Sequence, residues 1–153
     1  NNDQICHCGK TGCLETGASG SAAYRIFMEK LNEGRTSTLS ENFNKGEQIH
    51  IEDIIDAVRE EDVLAIEVIE EIGTTLGRAI AGLINLFNPE LIVIGGSIAS
   101  TKEYLLLPIK SAIQKHSLNI INSDTSIKFS KLGKRAGAIG SCMLGRSKFL
   151  GLL

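Results

Sequence analysis

The chain has 153 residues, 42% hydrophobic and 22% charged, with a formal net charge of −2, the profile of an ordinary globular domain or of two small lobes. A slight acidic excess without a Lys/Arg-rich run leaves no footprint for gripping a phosphate backbone, and 5% aromatic residues with no tryptophan give no ground for a stacking platform for single strands or an aromatic shelf for sugar rings. No run of about 18 apolar residues and no signal peptide can be read, so no membrane partner is expected, and the four cysteines fit a reducing cytoplasm better than secretion.

The first element is a loop. In "ICHCGKTGCLE", residues 5 to 15, Cys6, Cys8 and Cys13 form a C-x-C-x4-C cluster in which Gly9 and Gly12 let the backbone curl until all three sulfurs face inward. Three thiolates on one short loop suit a tetrahedral Zn2+. They lack a fourth ligand, and His7, wedged between two cysteines, would have to bend back onto the same ion. A cysteine-lined turn without metal, or disulfides in which the odd thiol finds the remote Cys142, are the alternatives.

Apolar residues at Tyr24, Phe27, Met28 and Leu31 predict a helix over 21–31 with one buried face. Residues 32–50, rich in polar side chains, read as a surface excursion. Ile51, Ile54, Ile55 and Val58 predict a second helix over 51–59, and Asp62 has the character of the N-cap of a third that runs to Phe87. The second half of this long helix is apolar on most faces, which predicts a central buried position. Gly73 and Gly77 each cost about 1 kcal/mol against alanine in a helix, so something must approach that face closely, and a packed helix is favoured over a ligand. Asn88-Pro89 ends the helix. "LIVIGG" then predicts a short buried strand, with Gly95-Gly96-Ser97 before a helix near 102–116, a layout in which backbone N–H groups can face a phosphate or sugar hydroxyls. Residues 126–130 predict another strand, with Ile127 and Phe129 on one face. A small-residue helix from about Ala136 closes the chain, with Cys142 as a small core residue. Strands separated by helices predict an α/β fold.

"CHCGKTGCLETGASG" resembles the cysteine signature of the ROK family (repressors, open reading frames, kinases), C-x-C-G-x-x-G-C-x-E followed by a small-residue turn. "NPELIVIGGSI" resembles that family's second glycine motif and "AGAIGSC" its last helix, so the resemblance spans essentially the whole chain. It implies the C-terminal lobe of an actin-like ATPase (ribonuclease H-like) fold with sugar bound between two lobes. Residues 1–135 would form that lobe, and 136–153 a closing helix and tail packed on an N-terminal lobe that precedes Asn1. It further implies that Cys6, Cys8 and Cys13 hold zinc with a histidine lying before residue 1, that Glu15 binds sugar hydroxyls, and that Gly95 and Gly96 approach a nucleotide if the protein is a kinase. The D-x-G-G-T phosphate loop and the catalytic aspartate of the family belong ahead of this chain, and no residue here is assigned to catalysis.

Two functions follow from the resemblance. A sugar kinase would use ATP and Mg2+ on a hexose or amino sugar. A repressor would keep the sugar pocket as a sensor and act on DNA through an N-terminal helix-turn-helix. Ser97, where many kinases of the family carry a third glycine, and the tail "RSKFLGLL" favour the repressor. The assembly implied is a homodimer or a dimer of dimers.

Overall fold

The computed structural model of the chain describes residues 3–118 and 124–151, Lys134 by its backbone alone. After the cysteine loop come α1 (Gly20–Asn32), α2 (Ser40–Asn44), α3 (Ile51–Arg59), α4 (Val63–Phe87), β1 (Leu91–Ile94), α5 (Glu103–His116), β2 (Ser126–Phe129) and α6 (Ala136–Phe149). The α/β expectation holds, with helices predominating. β1 and β2 pair in parallel, Leu91 opposite Ser126 and Ile94 opposite Phe129.

Ser19 caps α1 by accepting the Ala22 N–H at 3.1 Å. The buried face of α1 is Ala22, Ala23, Ile26, Phe27 and Leu31; Met28 is half-buried and Tyr24 is exposed, so the stripe is rotated toward the small residues that the periodicity reading passed over. The excursion at 32–50 contains α2, a single turn of helix whose Phe43 packs on the core together with Leu39 just before it. α3 spans the predicted residues.

Asp62 is the N-cap of α4, as the sequence indicates, and its carboxylate also organises the excursion. One oxygen accepts from Ala65 N–H at 2.8 Å, the other from Thr38 N–H at 2.6 Å and from the Ser37 hydroxyl at 2.9 Å. Burial would raise the Asp62 pKa, but these donors outweigh it and hold the carboxyl below the usual range. A depressed carboxylate stabilises the fold fully above the unfolded-state pKa of about 4, and that contribution disappears as pH falls through the lower folded value. Asp62→Asn is therefore expected to cost about 1–3 kcal/mol at neutral pH, with the difference from wild type shrinking in acid. Urea unfolding at neutral pH and at progressively lower pH measures it, and an equal difference throughout contradicts this account.

α4 and α5 pack face to face at the two glycines. A Cβ on Gly73 would lie 2.6 Å from Pro108 Cγ and 3.0 Å from the Leu105 carbonyl oxygen, and one on Gly77 would lie 2.7 Å from the Ile109 carbonyl oxygen. The compensation for helical glycine is thus helix packing, as expected. Asn85 closes the same pair, donating to His116 O at 3.2 Å and accepting from Leu118 N–H at 3.0 Å. Asn88 ends α4 in the left-handed region at φ 42°.

Three expectations need correction. The second half of α4 is less buried than the first: Ile80, Ala81 and Ile84 are covered, while Leu83, Leu86 and Phe87 are exposed. β1 is not buried along its length, since Leu91 and Val93 are exposed and only Ile94 is fully covered. Cys142 is exposed on α6, a helix that buries none of its described side chains, so it is not a core residue within this chain. The physical cause is common to all three: apolar composition sets which surfaces want cover, but cover depends on what packs there. Leu152 and Leu153 of the tail lie outside the described residues.

Candidate functional site

The cysteine loop is built by two backbone reversals. Ile5 and Thr11 form an antiparallel bridge, the Cys6 N–H donates to Lys10 O at 2.8 Å, and the Gly9 N–H donates back to Cys6 O at 2.8 Å. Gly9 and Gly12 take φ values of +81° and +75°, where a β-carbon would be strained. The three sulfurs consequently converge, all within 4.8 Å of one another, with Cys8 and Cys13 3.5 Å apart. A tetrahedral ion with metal–sulfur bonds of ~2.3 Å holds its ligands ~3.8 Å apart, so the trio can hold a metal ion, and its donor set is compatible with zinc. His7 is exposed, and among the described residues the ligand cluster contains the three cysteines alone.

The thiols are unequal. The Lys10 backbone, and then the Cys13 and Cys6 side chains, hold Cys8 below the ordinary thiol range. The Cys8 and Cys6 sulfurs push Cys13 up to about 11. A bound dication would displace whatever protons the three thiols carry.

Cys13 leads directly into a 3-10 turn, Leu14–Thr16, in which Glu15 is exposed. The turn is clamped twice. The Thr16 hydroxyl donates to Cys13 O at 2.8 Å, and Arg25 of α1, itself held by Glu29 at 2.9 Å, donates to Thr16 O at 3.2 Å. Arg25 was not legible as part of the site, because its partner is a backbone carbonyl nine residues away.

The turn delivers Glu15 to a cavity of about 440 Å³ whose other walls are the start of α1 (Ser19, Gly20), the glycine turn after β1 (Gly95, Gly96, Ser97) and apolar side chains of α4 and β1, among them Leu76, Ile80 and Ile94. The sequence-predicted residues Glu15, Gly95 and Gly96 are therefore brought together, and the cysteine trio stands immediately behind Glu15 in the chain. The apolar wall went unanticipated, since its residues belong to helix and strand patterns that read simply as core. A larger cavity of about 830 Å³ lies on the other side of the Thr16 turn. Its charges are largely engaged with one another, in the pairs Arg25–Glu29, Lys30–Glu67 and Arg35–Glu67, which leaves less to offer a ligand.

Gly96 has φ 99° and ψ 175°, a conformation essentially restricted to glycine, although a Cβ there would meet nothing within 4 Å. The open space on both sides is what a ligand needs to reach the backbone. Opposite the Glu15 cavity the same glycines wall an apolar slot of about 270 Å³ lined by Ala99, Leu106 and Phe129, with Lys102 at its edge. Ser97 does not line this slot. Its hydroxyl points at α1, 3.1 Å from where a Gly20 Cβ would be, so any narrowing by Ser97 falls on the Glu15 side.

The mixed α/β lobe with its small parallel sheet, a metal-ready thiol trio and a carboxylate facing a glycine turn across an open cleft has the actin-like ATPase fold of its relatives. The ROK family model matches residues 1–148, and the chain belongs to the ROK family. It is 38% identical over 135 residues to a glucokinase of Halalkalibacterium halodurans, covering 88% of this chain and 41% of that protein. It is 35% identical over 148 residues to the DNA-binding transcriptional dual regulator NagC of Escherichia coli K12, covering 97% of this chain and 35% of that one. Among solved structures, a ROK family transcriptional regulator described as a homologue of the E. coli MLC protein superposes with a TM-score of 0.73 at 41% identity, over 82% of this chain and 31% of that one. The chain spans less than half the length of these relatives. No helix among the described residues is long and apolar enough to cross a membrane.

Proposed function

We propose that this chain is the sugar-sensing part of a ROK-family transcriptional repressor, binding a hexose or amino sugar through Glu15 beside a structural zinc held by Cys6, Cys8 and Cys13 and an upstream histidine. The observation that carries the sugar reading is the cavity that sets Glu15 against the open backbone of Gly95 and Gly96. A carboxylate accepts hydrogen bonds from two adjacent hydroxyls, and the metal clip would fix its position from two residues away. Residues 1–135 act as the lobe. Residues 136–153 supply a closing helix for a second lobe, a reading supported by α6, whose Ile139, Met143 and Leu144 are exposed. The repressor reading draws on the NagC and regulator likenesses and on the apolar tail, and it puts DNA binding in an N-terminal helix-turn-helix, the protein in the cytoplasm and the assembly at a dimer or a dimer of dimers. Ser97 does not strengthen it, since its side chain lies away from the slot. The slot itself favours the second reading, an ATP-dependent, glucokinase-like sugar kinase, because Ala99, Leu106 and Phe129 could sandwich an adenine-sized ring with phosphates directed at Gly95 and Gly96.

The deciding experiment uses the intact protein. A repressor is expected to bind operator DNA with a steep salt dependence, to release it on adding the recognised sugar, and to form no ADP in a sugar-dependent way. Turnover with ATP and a common hexose at about 1–100 per second instead establishes the kinase. Under either reading Glu15→Gln, which turns an acceptor oxygen into a donor, is expected to weaken sugar binding by about 1.5–3 kcal/mol in calorimetric titration. Unchanged affinity returns Glu15 to a helix-start role.

A further inference from the structure

We propose that Cys8 and Cys13 form a reversible internal disulfide, by exchange with a low-molecular-weight disulfide, that competes with metal for the same clip. This rests on the thiol cluster and not on the sugar reading. The two sulfurs are already 3.5 Å apart, so about 1.5 Å of approach completes an S–S bond of ~2.05 Å. Residues 9–12 between them are all exposed, so no packed side chain stands against that movement. The two partners differ in a useful way. Cys8 is exposed and meets the oxidant first, whereas Cys13 is half-buried and anchored by the Thr16 bonds to its carbonyl. Cys6, half-buried in the turn, remains as the neighbouring third thiol.

The exchange balances in two steps. The Cys8 thiolate attacks one sulfur of the small disulfide RSSR, forming a mixed disulfide and expelling RS−. The deprotonated Cys13 sulfur then attacks the Cys8 sulfur and expels the second RS−, and the two protons given up by the cysteines convert both leaving groups to RSH. Two protein thiols are oxidised and one small disulfide is reduced. A disulfide sulfur carries no anionic charge and is a poor zinc ligand, so of the three sulfurs only Cys6 is left, and with the proposed upstream histidine it makes two ligands, too few to keep the ion. Conversely, bound zinc engages the same sulfur lone pairs and shields Cys8.

The test uses the intact protein carrying Cys142→Ser, which removes the exposed thiol outside the trio. It is reduced, stripped of metal by a chelator, and exposed to oxidised glutathione with or without one equivalent of zinc added beforehand; peptide mapping by mass spectrometry follows the products. The metal-free form is expected to give a Cys8–Cys13 cross-link that dithiothreitol reverses and that takes up no zinc, and the zinc-loaded form to react about tenfold more slowly or less. Adding Cys6→Ser should leave the cross-link, and adding Cys13→Ser should halt the reaction at a glutathione adduct on Cys8. A statistical mixture of bonds involving Cys6, a persistent adduct on Cys8 in the protein that retains Cys13, or equal rates with and without zinc overturns the proposal. Sugar titration of the same samples reports separately on Glu15, and its result leaves the mapping to stand by itself.

Discussion

Gly77→Ala is expected to destabilise the protein, although in an exposed helix the same change would add about 1 kcal/mol of stability. The two effects oppose each other, and the contact decides. The new methyl would sit 2.7 Å from the Ile109 carbonyl oxygen, 2.8 Å from Ala112 Cβ and 2.9 Å from Ile109 Cα. Two of these are backbone atoms of α5, which cannot turn aside, so the helices must separate along the fully buried line of Ile69, Ile72, Leu105 and Ile109. Overpacking of this kind costs about 1–3 kcal/mol, more than the propensity gain. Gly82 in the same helix is the control, because a Cβ there meets nothing within 4 Å. Gly82→Ala is expected to be neutral or to stabilise by up to about 1 kcal/mol. Thermal unfolding of both variants gives the answer, and two shifts of the same sign would mean that α4 and α5 are not packed this closely.

Cys8→Ser is expected to abolish stoichiometric metal binding. A serine hydroxyl has no accessible anionic form near neutral pH and is a poor replacement for thiolate at a ~2.3 Å bond to a borderline-soft ion. Losing one of three converging sulfurs should therefore lower metal content, measured by elemental analysis of freshly purified reduced protein, from about one ion per chain to near none. The loss should also reach the sugar site. Cys13 is followed after one residue by Glu15, and the two remaining clamps, the Thr16 hydroxyl and Arg25, hold the far side of that turn. Sugar affinity should consequently weaken in Cys8→Ser without vanishing. Unchanged metal content would remove the clip from the account, while lost metal with unchanged sugar affinity would sever its link to Glu15.

Much of the architecture was legible because its causes are local. Asp62 announced the start of α4 and Asn88-Pro89 its end, since capping and the missing proline N–H act within one turn. The cysteine spacing with Gly9 and Gly12 likewise determined a converging thiol cluster, because two positive-φ reversals in a short loop leave the sulfurs little choice. The glycine pair Gly73 and Gly77 declared that something close must lie against α4, though not which element. Where two long-range options compete, the sequence is silent, and the tertiary structure decided the rest. It selected α5, through Pro108 and Ile109, as the partner of those glycines, and it rotated the buried stripe of α1 toward Ala22, Ala23 and Ile26. It turned Ser97 toward Gly20 and left Leu86, Phe87 and Cys142 exposed where composition alone suggested cover. It also brought Glu15 to Gly95 and Gly96 across eighty positions of sequence, with an apolar wall from α4 between them. Capping, chain reversal and helix termination are determined by a few neighbouring residues, whereas burial and the shape of a cavity depend on which surfaces meet, and that is fixed only when the whole chain packs.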